Sequence, residues 1–239
     1  MVSEHEGIRE KALRLMREED NFSTIEYLNQ LADHVAVMDT YMELIKFYYW
    51  EEKNLPIVVM LSRAGIQEGL NIAASLEVNF PDQSQEIRGR ARALAYNLAS
   101  FAWPGWDESG IVVDDSDLAA GLDAAKVALR LVREMELDEL RLSRAKWMLA
   151  AYYLATKDYE EAKQAFEEAA EFARAAESNA DVLLCEGFVA LAKLLANPDD
   201  NRSRAKLDDV KMQIAKIEHG EDFINQLDTA YQVFSKISI

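Results

Sequence analysis

The side chains that carry most enzyme chemistry are few here and far apart. His5, His34 and His219 are the only histidines, and none has a neighbour at metal-ligand spacing, so neither a zinc nor a di-iron site is expected. Cys185, in "VLLCEGF", is the sole cysteine. It excludes an intrachain disulfide and a cysteine zinc site, fits a reducing compartment, and reads as a small buried hydrophobe rather than a reactive thiol. The acid run "DDSD", residues 114–117, follows Asp107 and Glu108. It has the charge for a cation but lacks calcium-loop spacing and glycine, so acids at a helix start are the simpler reading. The pairs Glu51-Glu52 and Glu160-Glu161 read as solvated turn acids. No Gly-rich phosphate loop, nucleophile elbow or zinc-protease helix motif occurs. The chain is therefore read as a non-enzyme, with no cofactor and no metal.

Composition narrows the partners. The 239 residues are half apolar and carry a formal charge of −17. Such a charge repels phosphate backbones, and the densest basic cluster, Arg88–Arg92 ("RGRAR"), reads as a solvated helix face; no nucleic-acid partner is expected. The N-terminus lacks the apolar core of a signal peptide, and no apolar run approaches a membrane span. The expectation is a cytoplasmic protein that does not engage membranes.

Nine glycines and four prolines are too few for a chain rich in turns or strands, whereas Ala, Leu, Glu, Lys, Arg and Met fill most windows. Helix starts are marked by capping-box spacing at Ser3/Glu6 and Ser23/Glu26, by Asn54 ahead of Pro56, by Asp82 after Pro81, and by Ser116 with Asp117. The pattern predicts helices near 3–19, 23–37, 39–53, 55–78, 83–102, 117–136, 139–156, 159–177, 180–196, 203–218 and 221–236. Short connections favour antiparallel neighbours. Gly65 and Gly69, four apart within one helix, predict the close approach of another helix.

One stretch interrupts the helices: "WPGWDESGIVVDDS", residues 103–116. Pro104 cannot continue a helix as an ordinary residue, and Gly105 permits a left-handed turn. Two tryptophans are costly to leave in water, so an ordered loop is expected. Trp106 would anchor it, and Ile111, Val112 and Val113 would form an extended segment in need of cover.

A spacing recurs along the chain. In 145–177, Leu149, Ala150 and Tyr153 are followed by Ala162, Phe166 and Ala169, with "TKDYEEA" between them. Leu44, Ile45 and Tyr48 precede Ile57, Leu61 and Ala64 at the same offsets. Leu98, Ala99 and Ala102 precede Ala125, Leu129 and Val132, but with 23 positions between halves where the other copies have 9; the excess is the 103–116 stretch, which makes it an insertion within one hairpin. This unit resembles the tetratricopeptide repeat. The resemblance implies an all-α chain, one domain over 1–239, of antiparallel hairpins stacked as an α-solenoid. Its parts are an N-terminal pair (1–37), repeats near 38–78, 83–136, 139–177 and 178–218, and a C-terminal capping helix (221–239).

In that family the first helices of successive hairpins line a concave groove for peptides or helices. Here those helices are apolar on two faces, more than a lone surface helix needs. The second face carries Met42, Lys46, Tyr49 and Trp50, then Tyr96, Asn97, Ser100 and Trp103, then Arg144, Trp147, Met148, Ala151 and Leu154. Aromatic and methionine side chains suit recognition surfaces. The carboxylate clamp of some family members is echoed only by Lys46, Asn97 and Arg144. The leading expectation is an interaction scaffold for a protein or peptide partner, with the 103–116 loop, through Trp106, as a specificity element. The alternatives are a small-molecule or peptide-signal sensor enclosing its ligand, an acidic secretion-type chaperone, and a homo-oligomer that buries the stripe.

Overall fold

The computed structural model describes residues 4–236, with side chains from Gly7 onward. The Ser3/Glu6 capping pair and the His5 side chain lie outside the described residues. Within them are eleven α-helices, one 3₁₀ turn and no strand. The order is α1 (Glu4–Glu18), α2 (Asn21–Asn29), α3 (His34–Trp50), α4 (Leu55–Leu76), α5 (Pro81–Phe101), the 3₁₀ turn Pro104–Trp106, α6 (Asp115–Glu134), α7 (Glu139–Ala155), α8 (Tyr159–Ala175), α9 (Asn179–Ala196), α10 (Asn201–Ile214) and α11 (Gly220–Ser235). No helix among the described residues is long and apolar enough to cross a membrane.

Packing divides the chain into two compact units, Met1–Ala102 and Trp103–Ile239. In the first, α2 packs on α1, α3 on α4 and α4 on α5, with α3 also beside α5. In the second, α6 to α10 each pack on the next, and α11 returns to lie on α9 and on the 3₁₀ turn. The pairings α3–α4, α7–α8 and α9–α10 coincide with expected hairpins. Of the two helices expected to pair over 83–136, α5 packs on α4 in the first unit and α6 packs on α7 in the second. Leu129 and Val132 of α6 are buried with Ala145 and Leu149 of α7, under Tyr153. The 103–116 stretch, expected as an insertion within one hairpin, instead opens the second unit, where its 3₁₀ turn packs on α11 and α7.

Helix starts are set mostly by carboxylates. Asp20 accepts from the N–H groups of Phe22 and Ser23, so α2 opens ahead of the Ser23 expected to cap it. Asp33 accepts from Ala36 N–H and opens α3, which moves the break expected near residue 38 to residues 30–33. Asn54 caps α4 as expected, with Pro56 in its first turn. Asp114, rather than Ser116, caps α6: it accepts from the N–H of Ser116 and Asp117, while Asp117 accepts from Asp114 N–H. Asp138 and Asp200 do the same for α7 and α10. A carboxylate at this position satisfies orphan donors and faces the positive end of the helix dipole.

Small residues bring the helices close. A Cβ at Gly65 would lie 2.8 Å from Tyr41 Cγ and 2.9 Å from a Leu94 methyl; one at Gly69 would lie 2.6 Å from Met38 Cε and 3.0 Å from Ala91 Cβ. The glycines thus admit α3 and α5 to α4, as their spacing predicts. Buried hydroxyls then tie neighbours together. Thr24 donates to Ala12 O at 3.2 Å, Ser84 to Ala73 O at 2.7 Å and Ser143 to Ala169 O at 2.8 Å. Ser62, equally buried, finds no partner for its Oγ.

The two serines separate a made hydrogen bond from an unmade one. Ser84→Ala should cost about 1 kcal/mol, the net worth of one intramolecular hydrogen bond. Ser62→Ala should be neutral or stabilising, because it removes an unsatisfied buried hydroxyl. Urea unfolding of both variants checks this, and equal losses would contradict the assignment.

The caps also predict acid sensitivity. Hydrogen bonds from the N–H of Asp117, Arg141 and the hydroxyl of Ser203 are the leading causes that hold Asp114, Asp138 and Asp200 below the usual carboxylate value of 3.8. Groups depressed on folding stabilise above their unfolded value, and that stabilisation disappears as pH falls through the folded one. Stability should therefore drop below about pH 4. Asn caps equally well but does not titrate. A variant with Asn at 114, 138 and 200 should keep its melting temperature at pH 7 and show a shallower loss between pH 4 and pH 2 in about the same buffers. Superimposable profiles would refute the role.

Candidate functional site

The stripe expected to line a groove meets two fates. In the second unit it is core. Trp103 is 1% exposed, and its indole N–H donates to Ala151 O of α7 at 2.9 Å. Ring centroids of Trp106, Trp147, Phe234 and Phe188 lie 4.9, 5.6, 5.8 and 6.2 Å from that of Trp103. Phe188 in turn stacks on Phe166 at 5.0 Å. Trp103, Trp147 and Met148 are therefore not groove residues: all three are buried, the two tryptophans in a ring cluster with Trp106 and Phe188 that Phe234 of α11 joins at Trp103. Trp106 is half-buried and edge-on to Trp103.

Gly105 serves sterics rather than a left-handed turn. A Cβ there would lie 2.3 Å from the Trp103 ring, while the left-handed conformations fall on Asp107 and Gly110, at φ 50° and 84°. Asp107 tolerates it through its short polar side chain. Of the three β-branched residues that follow, Ile111 and Val113 are half-buried and Val112 is 83% exposed, so the strip is covered on one side only.

Ala151 and Leu154 of the same stripe are buried as well, and Arg144 reaches across to α9. Its Nε donates to Asp181 Oδ1 at 3.0 Å, and Ser178 Oγ donates to the same carboxylate at 2.6 Å. The first unit repeats the device: Arg90 of α5 donates to Asp39 of α3 at 3.0 Å. Alternate helices in each unit are thus pinned by an arginine fork on an aspartate. Cys185 is buried beside this pair. Burial, and then the Asp181 charge, push its thiol up to about 12, so it is an inert packing residue at neutral pH.

In the first unit the stripe stays partly open. Tyr49 is buried and stacks on Phe101 at 4.1 Å between centroids. Met42, Tyr96, Asn97 and Ser100 are half-buried, and Lys46 is exposed. Asn97 donates to Ala93 O at 2.8 Å and holds its Nδ2 3.6 Å from Met42 Sδ, which places the α3 and α5 members side by side. Trp50 is 50% exposed yet held: it is edge-on to Tyr49 at 4.7 Å and to Phe101 at 6.1 Å, with Lys53 Nζ over its face at 5.3 Å. Phe188 falls with Leu184 and Cys185 on the apolar spacing of a fourth copy of the unit, whereas Phe101 and Phe234 are not marked by that spacing. Phe234 was findable, because Leu227, Ala230 and Phe234 recur at helical spacing along α11.

What the fold and the surface define is an all-α protein of packed helices with one partly open aromatic face in its first unit. Compared with protein-family models and with curated proteins, the chain matches none.

Gly105→Ala should force the Trp103 ring from its slot and destabilise the protein by about 1–3 kcal/mol, the usual range for overpacking. Tryptophan fluorescence should shift with it. An unchanged spectrum and unfolding midpoint would show that the turn does not depend on this contact.

Proposed function

We propose that this protein is a non-enzymatic interaction scaffold of tetratricopeptide-like helical hairpins, which binds a peptide or helix on the α3/α5 face of its first unit. The observation that supports this reading best is Trp50. A half-exposed tryptophan locked by Tyr49, Phe101 and Lys53 loses little freedom when a partner covers it, and such pre-organised aromatics make strong anchors. Met42 gives an adaptable apolar neighbour, Lys46 an exposed cation one turn before Trp50, and Tyr96, Asn97 and Ser100 a polar rim on α5. The formal charge of −17 disfavours nucleic acid, and a lone buried thiol fits the reducing cytoplasm. The sensor alternative has less support, since in the second unit the aromatic interior is packed with the protein's own rings.

Peptides selected from a displayed random library on the wild-type protein test the reading. Trp50→Ala should weaken their binding by about 30-fold or more, as loss of a hot-spot tryptophan does, and Lys46→Glu should weaken acidic ligands. Lys46 is exposed, so Lys46→Glu should hardly move the melting temperature, whereas Trp50→Ala also gives up its packing on Tyr49 and Phe101 and should lower it modestly while the protein stays folded at the assay temperature. Peptides that bind the Trp50→Ala variant as tightly as wild type would place recognition elsewhere.

A further inference from the structure

A second feature lies on the other side of α9. A cleft of about 500 Å³ runs between α8 and α10 with α9 as its floor. Each helix contributes one face: Glu167, Ala170, Glu171 and Arg174 from α8; Glu186, Val189, Ala190 and Lys193 from α9; Arg202, Ser203 and Lys206 from α10. Positions three and four apart share a helix face, so these are continuous walls.

Charge is ordered across this cleft. One end is shut by a three-membered ion bridge, in which Glu186 accepts from Arg174 at 3.0 Å and from Lys206 at 3.1 Å. Burial alone would raise the Glu186 carboxyl, but the two cations outweigh it and hold it below its usual value. From the Arg174–Glu186 pair the antiparallel helices place Glu171 near Val189 and Glu167 near Lys193. The middle of the cleft is apolar, with Ala170, Val189 and Ala190. Acids therefore stand on the α8 wall, and cations stand on α9 and α10. Beyond the bridge, no ion pair among the described residues spans the cleft. Opposite charges beside the open part lie along its own helices: Arg174 one turn after Glu171, already in the bridge; Lys163 one turn before Glu167, already bonded to Glu160; and Asp200, bonded by the N–H groups of Arg202 and Ser203 and by the Ser203 hydroxyl, with the Arg202 charge also helping to hold its carboxyl down.

We propose that this cleft is a binding site for a small dipolar ligand of the dipeptide or tripeptide class, with a cationic group at one end and a carboxylate at the other. The cation would lie against Glu167 and Glu171, the carboxylate against Lys193 and Arg202, and a short apolar body over Ala170, Val189 and Ala190. The volume falls in the range of small-ligand sites. Opposed walls of unlike charge favour a ligand with both charges over one with a single charge, because only the former gains the attraction of both walls.

Amide chemical shifts of the isotopically labelled full chain, titrated with the tripeptide lysyl-alanyl-glutamate, test the site. Saturable shifts confined to α8, α9 and α10 are expected, with none from the blocked, uncharged trialanine. The double variant Lys193→Glu/Arg202→Glu and the single variant Glu171→Lys should each weaken binding at least about tenfold, since both walls are engaged and each touches the surface rather than the core. No saturable shift, equal shifts with the uncharged peptide, or loss in only one of the two variants would overturn the proposal. Because Trp50 belongs to a different surface, failure here leaves the α3/α5 reading standing, and the reverse holds too.

Discussion

The structure depends on how closely its helices approach. In the first unit α4 is the shared partner of α3 and α5, and it meets both through Gly65 and Gly69. Each glycine costs about 1 kcal/mol of helix propensity relative to alanine. The return is larger: Tyr41, Met38 and Leu94 are buried against that strip, at about 1.5–3 kcal/mol for each large apolar side chain. In the second unit alanine does most of the same work, with Ala162, Ala165, Ala169 and Ala173 buried along α8. Gly187 is the exception. A Cβ there would come within 2.8 Å of Leu227, so glycine returns where α11 lies against α9.

Much of this was legible because it is local. Helical periodicity marks the long helices, although it breaks α3 near residue 38, and the Gly65/Gly69 spacing implies a close contact without naming the partner. Caps were harder. Ser23 and Ser116 look like N-caps because a suitable acid follows each, yet Asp20 and Asp114 stand a few residues earlier and present stronger acceptors. The chain takes the first good acceptor that backbone geometry allows. Asp33 shows the same thing at a boundary that no glycine or proline marks.

Pairing was the part that local pattern could not decide. Leu98 and Leu129 carry the spacing of a hairpin, but spacing says only that two faces are apolar, not that they meet. Here α4 and α7 are nearer in chain order to α5 and α6 respectively, through connections of four residues, and they claim those faces. The stretch from Trp103 onward is then left to its own unit, where two indoles and a proline turn complete a core instead of decorating a loop.

The same reasoning explains why one aromatic stripe became two different things. A stripe of Trp, Tyr and Met on the second face of a helix is an unfinished core, and its fate depends on what covers it. In the second unit the cover comes from the chain itself: Trp103 satisfies its N–H on Ala151, Phe234 closes the cluster, and little aromatic surface is left for a partner. In the first unit Tyr49 and Phe101 finish part of the core, and Trp50 stands half outside it, braced but uncovered. A braced, uncovered tryptophan has already given up most of the conformational freedom that binding would take from it, while keeping much of the apolar area that binding would bury. That combination, rather than the presence of aromatic residues, is what the proposed recognition role rests on, and in this stripe Trp50 is the residue that has it.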